Sequence, residues 1–396
     1  MSDATTPVIV SAVRTPIGRY LGGLSSFTAP QLGALAIRGA LDRAGLAPEQ
    51  VQEVFMGHVV QGGTGQAPAR QALIGAGIPA TVSAVTVNEV CGSGLRAVML
   101  AAAAVRAGDR EAIVAGGQES MSNAPHYVYG MRAGIKAGNQ TMLDGVIHDG
   151  LWCSFGCNHM GEYAEYTGEK AGVSREEQDR FAYESHMKAV AAQEAGKFQA
   201  EMIPVQVKGK AGPTTIAADE SVRKDTTPET LAKLRPAFRK DNGTVTAGNA
   251  PGLNDGGAAA VVTSLAFAKA NGLTPLARIT GYATGGGEPR EIFFAPVVAV
   301  QNLMAKTGTK IGDYDLIEAN EAFAVQAIAD GRALGWDWDR VNVNGGAVAL
   351  GHPIGASGAR VLATLLHAMI DRDKQTGLAT LCLGGGNAVA LSVERI

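Results

Sequence analysis

The stretches Cys91-Gly-Ser-Gly-Leu-Arg-Ala-Val98 and Gly355-Ala-Ser-Gly-Ala-Arg-Val-Leu362 are similar to each other, and each opens an apolar, helix-like segment. Both segments lead to a strand-like run that ends in glycines, at Gly116-Gly117 and at Gly384-Gly385-Gly386. Similarity between two distant stretches is the pattern of an internal duplication. We therefore predict two copies of one α/β unit, with chance similarity of two Gly-rich helix starts as the alternative.

Alternating strand-like and helix-like runs extend this pattern along both halves. β-branched, strand-like runs lie at residues 7–13, 51–60, 82–90, 111–115, 258–263, 276–283, 315–319 and 378–383. Ala/Leu-rich, helix-like runs lie at residues 31–44, 95–107, 322–334 and 356–371. Such alternation is typical of βαβ units. From about Ser120 to Thr244 charges, Tyr and Met become more frequent, which we interpret as an insertion in the first copy, with residues 175–188 as its clearest helix.

Composition narrows the class of protein. The chain has 396 residues, 46% hydrophobic and 18% charged, which is enough to build a large core. Its formal net charge of −3 excludes a global basic field, so nucleic acid is not an expected partner. No apolar run is expected to approach the roughly 18–20 residues of a membrane span, and the start lacks the order of a secretory signal. We expect a cytoplasmic enzyme without a membrane partner.

Cys91 is the first candidate for chemistry among the four cysteines. It lies where a strand should end and a helix begin, so unpaired backbone N–H groups and the helix dipole would favour its thiolate and lower its pKa. Gly92 and Gly94 leave room for a carbonyl substrate to approach. A small cysteine packed at a strand end is the alternative.

Three further residues are candidates for a catalytic role. His352 lies in a glycine-rich stretch without periodicity and could exchange a proton with a thiol near neutral pH, or be structural. Cys382 ends an apolar strand that mirrors the first half, so it could face the same cleft as Cys91 or pack in the core. Asn320 lies at a strand-to-helix junction, where it could cap the helix or hold a water.

Other motifs argue against metal and nucleotide sites. Cys153, Cys157 and His159 supply only three soft ligands without zinc-site spacing, so we expect no metal. The glycine strings match neither a Walker loop nor a dinucleotide-binding fingerprint. Six basic residues cluster in the insertion, where they could meet phosphates or simply be solvated: Arg223, Lys224, Lys233, Arg235, Arg239 and Lys240.

Together these residues resemble the thiolase family over nearly the whole chain. The similar stretches begin at Asn88 (NEVCGSGLRA), His159 (HMG), Leu231 (LAKLRPAF), Thr246 (TAGNA), Asn320 (NEAFA), Gly351 (GHPIGASGAR) and Cys382 (CLGGG). The resemblance implies an α/β, five-layered αβαβα fold of two similar βαβαβαββ halves with an inserted loop domain. The N-terminal half would span residues 1–119 and 246–272, the insertion residues 120–245 and the C-terminal half residues 273–396.

The resemblance also implies a catalytic set. Cys91 would accept an acyl group from acyl-CoA, and His352 would activate it. Cys382 would remove an α-proton from the second acetyl-CoA. His352 and a water on Asn320 would stabilise the enolate oxygen, and the backbone N–H groups of Cys91 and Gly384 would form a second oxyanion hole.

For coenzyme A, the resemblance implies a tunnel and an outer phosphate and adenine site formed by Leu151, His159, Met160, Arg223, Phe238, Ala247 and Phe323. His159-Met160 resembles the short-chain, biosynthetic type. Pro251 departs from the family, which commonly has Ser there, so one hydroxyl contact to pantetheine would be missing.

The implied activity is reversible condensation of two acetyl-CoA to acetoacetyl-CoA and CoA, with CoA thioesters as substrates and no cofactor. A thiolase of longer-chain or β-ketoadipyl-CoA specificity is the alternative within the family. A cysteine hydrolase and a non-catalytic acyl-CoA or lipid carrier are alternatives from other classes. Residues 127–150 resemble the family's tetramerisation loop, so we expect a homotetramer, a dimer of dimers.

Overall fold

The computed structural model describes residues 2–209 and 212–396. Its strands are β1 (Pro7–Arg14), β2 (Gly18–Arg19), β3 (Glu53–Gly57), β4 (Ser83–Val87), β5 (Ala112–Ser120), β6 (His126–Tyr127), β7 (Leu143–Asp144), β8 (Trp152–Cys153), β9 (Asn158–His159), β10 (Val205–Gly209), β11 (Gly212–Ile216), β12 (Asn254–Ser264), β13 (Ala277–Gly286), β14 (Leu316–Ala319), β15 (Thr376–Leu383) and β16 (Asn387–Glu394).

The α-helices are α1 (Ala29–Ala44), α2 (Pro68–Gly75), α3 (Ser93–Ala107), α4 (Met160–Ala171), α5 (Arg175–Glu194), α6 (Pro228–Ala232), α7 (Leu265–Ala270), α8 (Ala295–Thr307), α9 (Ala324–Leu334), α10 (Ala347–Leu350) and α11 (Ile354–Asp371). Short 3-10 helices lie at Asp3–Thr5, Pro48–Gln50, Met121–Asn123, Met131–Ala133, Pro289–Phe294, Ile311–Asp313 and Trp338–Arg340, and a π-helix lies at Val146–Leu151.

The two halves of the chain contribute similar sets of strands to the large sheet, and the two sets run outward in the same order from the central pair β13 and β1. Its strand order is β14-β15-β16-β13-β1-β12-β5-β3-β4. In one half β1 and β5 flank β12 antiparallel, and β5, β3 and β4 are parallel. In the other half β13 and β15 flank β16 antiparallel, and β14 is parallel to β15. The counterpart of β4 is reduced to one parallel bridge between Ile317 and Val341. The duplication predicted from the two Gly-rich stretches is therefore confirmed.

Helices α3 and α11, which begin at the two similar stretches, contact each other and strands of both halves. Helices α1 and α2 cover the outer face of the first half, and α8 covers that of the second. This order of layers is the predicted five-layered αβαβα fold. The start of α3 approaches α11 closely, since a Cβ on Gly94 would lie 2.8 Å from the backbone nitrogen of Ala359. Glycine is required there because any side chain would separate the two helices.

Most predicted elements agree with the structure within a few residues, and Gly45 and Gly108 end their helices with left-handed φ angles of 68° and 78°. Strand β16 and helix α8 were missing from the sequence interpretation. The predicted insertion lies between β5 and β12, and its helix α5 runs to Glu194. The domain divisions at residues 119, 246 and 272 stay predictions.

One sequence expectation needs correction. Residues Val90–Ala107 form an 18-residue window with a mean hydropathy of 1.4, long and apolar enough by composition to cross a membrane. The window is 56% buried inside the protein because it contains α3, which packs between the two halves. Its apolar character is therefore explained by core packing.

Candidate active site

A cavity of about 290 Å³ lies between the two halves and the insertion. Cys91, His352, Cys382 and Gly384 all line it. The structure thus brings together residues that are almost 300 positions apart in sequence, because α3, α11 and β15 meet at this point. The rest of the lining is nearly all apolar, so charges that develop inside it would be poorly screened by water.

Cys91 lies on a tight turn between β4 and α3. Val90, which precedes it, has a φ of 48°, a left-handed conformation that is costly for a β-branched residue. The turn is held by Ser93, whose hydroxyl donates to the carbonyl of Val90 (2.6 Å) and accepts from the backbone N–H of Glu89 (2.9 Å). The strained turn presents the half-buried Cys91 side chain to the cavity.

The thiol of Cys91 is not acidic in this structure. Its pKa is raised to about 12, mainly by burial and to a lesser extent by the charge of Glu119. The backbone N–H groups of Cys91 and Gly384 lie within hydrogen-bonding reach of the sulfur and lower the pKa, but by less than burial raises it. The prediction of a lowered pKa is therefore wrong, because it counted the helix terminus and could not count desolvation. A base must take the proton before this sulfur can attack.

His352 carries an imidazole and lines the same cavity as Cys91. Its Nδ1 lies 2.6 Å from the hydroxyl oxygen of Ser357, and that hydroxyl donates to the carbonyl of Pro353 at 2.9 Å. Since Ser357 has one proton to donate, Nδ1 must carry the hydrogen and Nε2 the lone pair. Burial and, less strongly, the charge of Arg360 lower the pKa of His352 to about 3. The resting imidazole is therefore neutral, with Nε2 free to accept a proton.

Asn320 lies beside His352, with its amide nitrogen 3.5 Å from Nε2. It does not cap α9, which begins at Ala324 after Phe323, so the capping alternative is wrong. The guanidinium of Arg360 lies 3.5 Å from the amide oxygen of Asn320 and pairs with Glu318 at 2.8 Å. The buried Arg360 thus orients the amide so that its N–H groups face His352.

Cys382 is buried at the end of β15. Burial raises its pKa well above that of a free thiol, and the nearby Cys91 and Asp330 raise it further. Both cysteines are therefore neutral thiols in the resting protein. All four cysteines of the described residues are free, so neither thiol is held in a disulfide.

Aromatic rings form one wall of the cavity. His159 stacks on Phe238 with ring centroids 4.8 Å apart, and Phe323 packs edge-on against Phe293 at 5.3 Å. Leu151 and the buried Met160 complete this side. Ile292, Phe293 and Met121 line the cavity as well, although nothing in their sequence pattern distinguishes them from core residues.

Two predicted binding residues do not line the cavity. Arg223 and Ala247 are exposed, and the backbone N–H of Arg223 donates to Nδ1 of His186 at 3.2 Å. A role for them in binding the outer part of CoA stays a prediction. Pro251, the departure from the family pattern, does line the cavity.

The cysteines and histidine of the insertion have separate environments. Nδ1 of His159 accepts from the backbone N–H of Gly161 at 3.0 Å and so caps α4, whereas Cys153 contacts the hydroxyl of Tyr163. Within residues 2–209 and 212–396, no group of three or more His, Cys, Asp or Glu side chains is arranged to hold a metal ion.

Comparison with known proteins agrees with this architecture. A family model described as "Thiolase, N-terminal domain" matches residues 7–266, and one described as "Thiolase, C-terminal domain" matches residues 273–395. The chain is similar to the curated acetyl-CoA acetyltransferase of Pseudomonas aeruginosa, at 55% identity over 389 residues that cover 98% of this chain and 99% of the relative. It is 54% identical to that of Cupriavidus necator, over 99% of this chain and 100% of the relative.

A solved structure shares the whole fold. The crystal structure of the Bacillus anthracis acetyl-CoA acetyltransferase superposes with a TM-score of 0.97 at 41% sequence identity, covering 100% of both chains. Family models match both halves of the chain, two relatives are more than 50% identical to it, and a solved structure shares its fold. The chain belongs to the thiolase family.

Proposed function

We propose that the protein is an acetyl-CoA acetyltransferase, which condenses two acetyl-CoA to acetoacetyl-CoA and CoA and catalyses the reverse thiolysis. The observation that carries the proposal is the convergence of Cys91, His352 and Cys382 on one apolar cavity. A hydrolase would need only the first two, and a carrier would need none of the three. The relatives named acetyl-CoA acetyltransferase support the same activity.

In the first half-reaction, Nε2 of His352 takes the proton of Cys91, and the thiolate attacks the carbonyl carbon of acetyl-CoA. The backbone N–H groups of Cys91 and Gly384, which already face the sulfur, would stabilise the tetrahedral oxyanion. The C–S bond to CoA breaks, and the leaving thiolate takes the proton of Cys382. The products are acetyl-Cys91, imidazolium, a Cys382 thiolate and free CoA.

In the second half-reaction, the Cys382 thiolate removes an α-proton from a second acetyl-CoA. The imidazolium of His352 donates a hydrogen bond from its Nε2–H to the enolate oxygen, and a water held by Asn320 donates a second one. The enolate carbon attacks acetyl-Cys91, a C–C bond forms, and the Cys91 thiolate leaves and recovers its proton from His352. Both thiols and the neutral imidazole are restored, which are the states that burial favours in the resting structure.

The cavity wall supports an acetyl group as the acyl unit. Met160 and the stacked pair His159 and Phe238 line the cavity that Cys91 and Cys382 share, so we expect them to limit the length of the acyl group. The proposed cycle uses only CoA thioesters and the chain's own groups, with no cofactor.

Steady-state thiolysis of acetoacetyl-CoA, compared with thiolysis of 3-ketoacyl-CoA of six and eight carbons, tests the proposal. We expect kcat/KM for the four-carbon substrate to exceed that for the six-carbon substrate at least about tenfold, since one pocket methylene changes binding by about 1–3 kcal/mol. Preference for the longer substrates would indicate the alternative thiolase specificity. Loss of activity on all of them would contradict the proposal.

We also propose a homotetramer. Residues 127–150 expose the large apolar side chains Tyr129, Met131 and Met142, with exposed fractions of 62%, 62% and 63%. An exposed apolar group of this kind favours a protein contact. Size-exclusion chromatography with light scattering should give four subunits, and the triple substitution of these residues by Ser should give a smaller species; a wild-type monomer would contradict the proposal.

A further inference from the structure

We propose that Glu119 is a positioning residue whose single buried carboxylate joins the segment that supports Cys91 to the helix start that carries His352. The inference rests on the proposed function, because it states that Glu119 fixes the distance between the nucleophile Cys91 and the base His352. Glu119 lies near the end of β5, and its side chain is wholly buried.

The carboxylate accepts hydrogen bonds from both halves. From the segment after β3, the backbone N–H of Val59 donates to Oε2 and that of Val60 to Oε1, each at 3.2 Å. From the start of α11, the N–H of Gly355 donates to Oε2 at 2.9 Å. The imidazole Nε2 of the buried His58 lies 3.3 Å from Oε1. One side chain therefore ties together two segments that are about 300 residues apart in sequence.

Each segment supports one reacting group. Val59 and Val60 pack in the same apolar cluster as Val90 and Cys91, and the side-chain amide of Asn88 donates to the carbonyl of Val59 at 3.4 Å. Gly355 follows His352 by three residues, in the turn where Pro353 holds the Ser357 hydroxyl. A shift of the carboxylate would therefore move Cys91 and His352 relative to each other.

The number of backbone N–H donors around Glu119 explains why a carboxylate is needed at this position. The backbone donors require acceptors on both oxygens, and only an ionised carboxylate offers acceptors alone. A Gln amide would turn an N–H group toward one set of donors. Within residues 2–209 and 212–396 no Lys or Arg pairs with Glu119, so the backbone N–H groups and the N-terminus of α11 stabilise its charge.

The charge of Glu119 also raises the pKa of Cys91, although burial is the larger cause. The other titratable groups around Cys91 are Cys382 from β15, His352 before α11 and His159 from β9, which line the same cavity. Glu89 and its ion-pair partner Arg96 lie on the segment of Cys91 itself. Removing the Glu119 charge should make the thiol more acidic.

Two substitutions separate geometry from charge. Glu119→Asp keeps the charge but shortens the side chain by one methylene, so it cannot reach both segments. Glu119→Gln keeps the length but removes the charge and places an amide against the backbone donors. Glu165→Gln is the matched control, since Glu165 is a buried carboxylate of the insertion that accepts from the backbone N–H groups of Thr244 and Val245.

For each variant we would measure thermal unfolding, kcat and KM for thiolysis, and alkylation of Cys91 by iodoacetamide at pH 8, followed by peptide mass spectrometry. Both Glu119 variants should lose at least about tenfold in kcat with KM changed by less than about threefold. Alkylation of Cys91 should be faster in Glu119→Gln than in the wild type and in Glu119→Asp, because only the Gln substitution removes the charge that adds to the pKa of the thiol. Glu165→Gln should match the wild type in kcat and alkylation.

Folded Glu119 variants with the kcat of the control would overturn the positioning role. An alkylation rate in Glu119→Gln no faster than in the wild type would overturn the effect of charge. If Glu119→Gln does not fold, the milder Glu119→Asp still tests the positioning role through kcat. Alkylation needs no acetyl transfer, so a failure of the proposed function leaves the comparison of alkylation rates intact.

Discussion

Nδ1 of His352 lies 2.6 Å from the Ser357 hydroxyl oxygen, and the proton of that hydroxyl is committed to the carbonyl of Pro353 at 2.9 Å. This relationship decides which nitrogen of the imidazole carries its hydrogen. Nε2 is left with a lone pair beside Asn320, in the cavity that Cys91 also lines. The direction of proton transfer in the proposed cycle is therefore built into one turn at the start of α11.

Ser357→Ala tests this relationship. The buried Nδ1–H would lose its acceptor, at a cost of about 1–3 kcal/mol, so we expect kcat for thiolysis to fall about ten- to hundredfold with KM nearly unchanged. Thr364→Val is the control, because Thr364 is a buried hydroxyl on the same helix that donates to Glu201 at 3.1 Å. An unchanged kcat in Ser357→Ala would show that the tautomer is fixed by other groups.

The lowered pKa of His352 predicts a dependence of stability on pH. Its pKa is about 3 in the folded state and about 6.5 in an unfolded chain, so below pH 6.5 the unfolded chain binds a proton that the folded protein does not. The free energy of unfolding should fall as pH decreases from 6.5 toward 3. In urea titrations from pH 7 to pH 4, His352→Gln should lose about 3 kcal/mol less than the wild type.

His186, whose pKa is lowered to about 4 mainly by burial, contributes a similar slope to both proteins and cancels in this comparison. Equal slopes for the wild type and His352→Gln would mean that the imidazole is protonated in the folded protein.

Pro251→Ser tests the departure from the family pattern. Pro251 lines an otherwise apolar cavity, and a Ser hydroxyl there would offer one hydrogen bond to an amide of pantetheine. One neutral hydrogen bond contributes about 1 kcal/mol, so KM for acetyl-CoA should fall about fivefold. Pro251→Ala is the control for loss of the ring, and an equal change of KM in both variants would attribute the effect to the backbone.

Met160→Ala tests the control of acyl chain length. Met160 is 8% exposed and lines the cavity, so removing its side chain should create space beside the cysteines. The ratio of kcat/KM for six-carbon to four-carbon 3-ketoacyl-CoA should rise about tenfold or more. A ratio equal to that of the wild type would place the limit on chain length elsewhere in the wall.

The sequence could predict the duplication and the residues around Cys91 and His352, because glycines mark both helix starts and local patterns are read directly from neighbours. It could not predict the acidity of Cys91, since desolvation depends on groups from α11 and β15 that are remote in sequence. The same reason hides Glu119, whose donors at Val59, Val60 and Gly355 meet only in the folded chain.

Among the residues that line the cavity, some could likewise be predicted from the sequence and others could not. Phe238 and Met160 could be assigned from the family resemblance, but Phe293 follows β13 in a short 3-10 helix and has no distinguishing pattern. Arg223 belongs to a basic cluster that could meet phosphates, Ala247 is assigned by resemblance alone, and the structure leaves both outside the cavity.

The most direct test of the central claim is intact-mass and peptide mass spectrometry of Cys382→Ser mixed with acetyl-CoA, with product analysis of the same sample. The proposed cycle predicts one acetyl group on Cys91, absent from Cys91→Ala, and no acetoacetyl-CoA, because the first half-reaction proceeds while α-proton removal fails. Formation of acetoacetyl-CoA at the wild-type rate by Cys382→Ser, or an acetyl group on any residue other than Cys91, would contradict it.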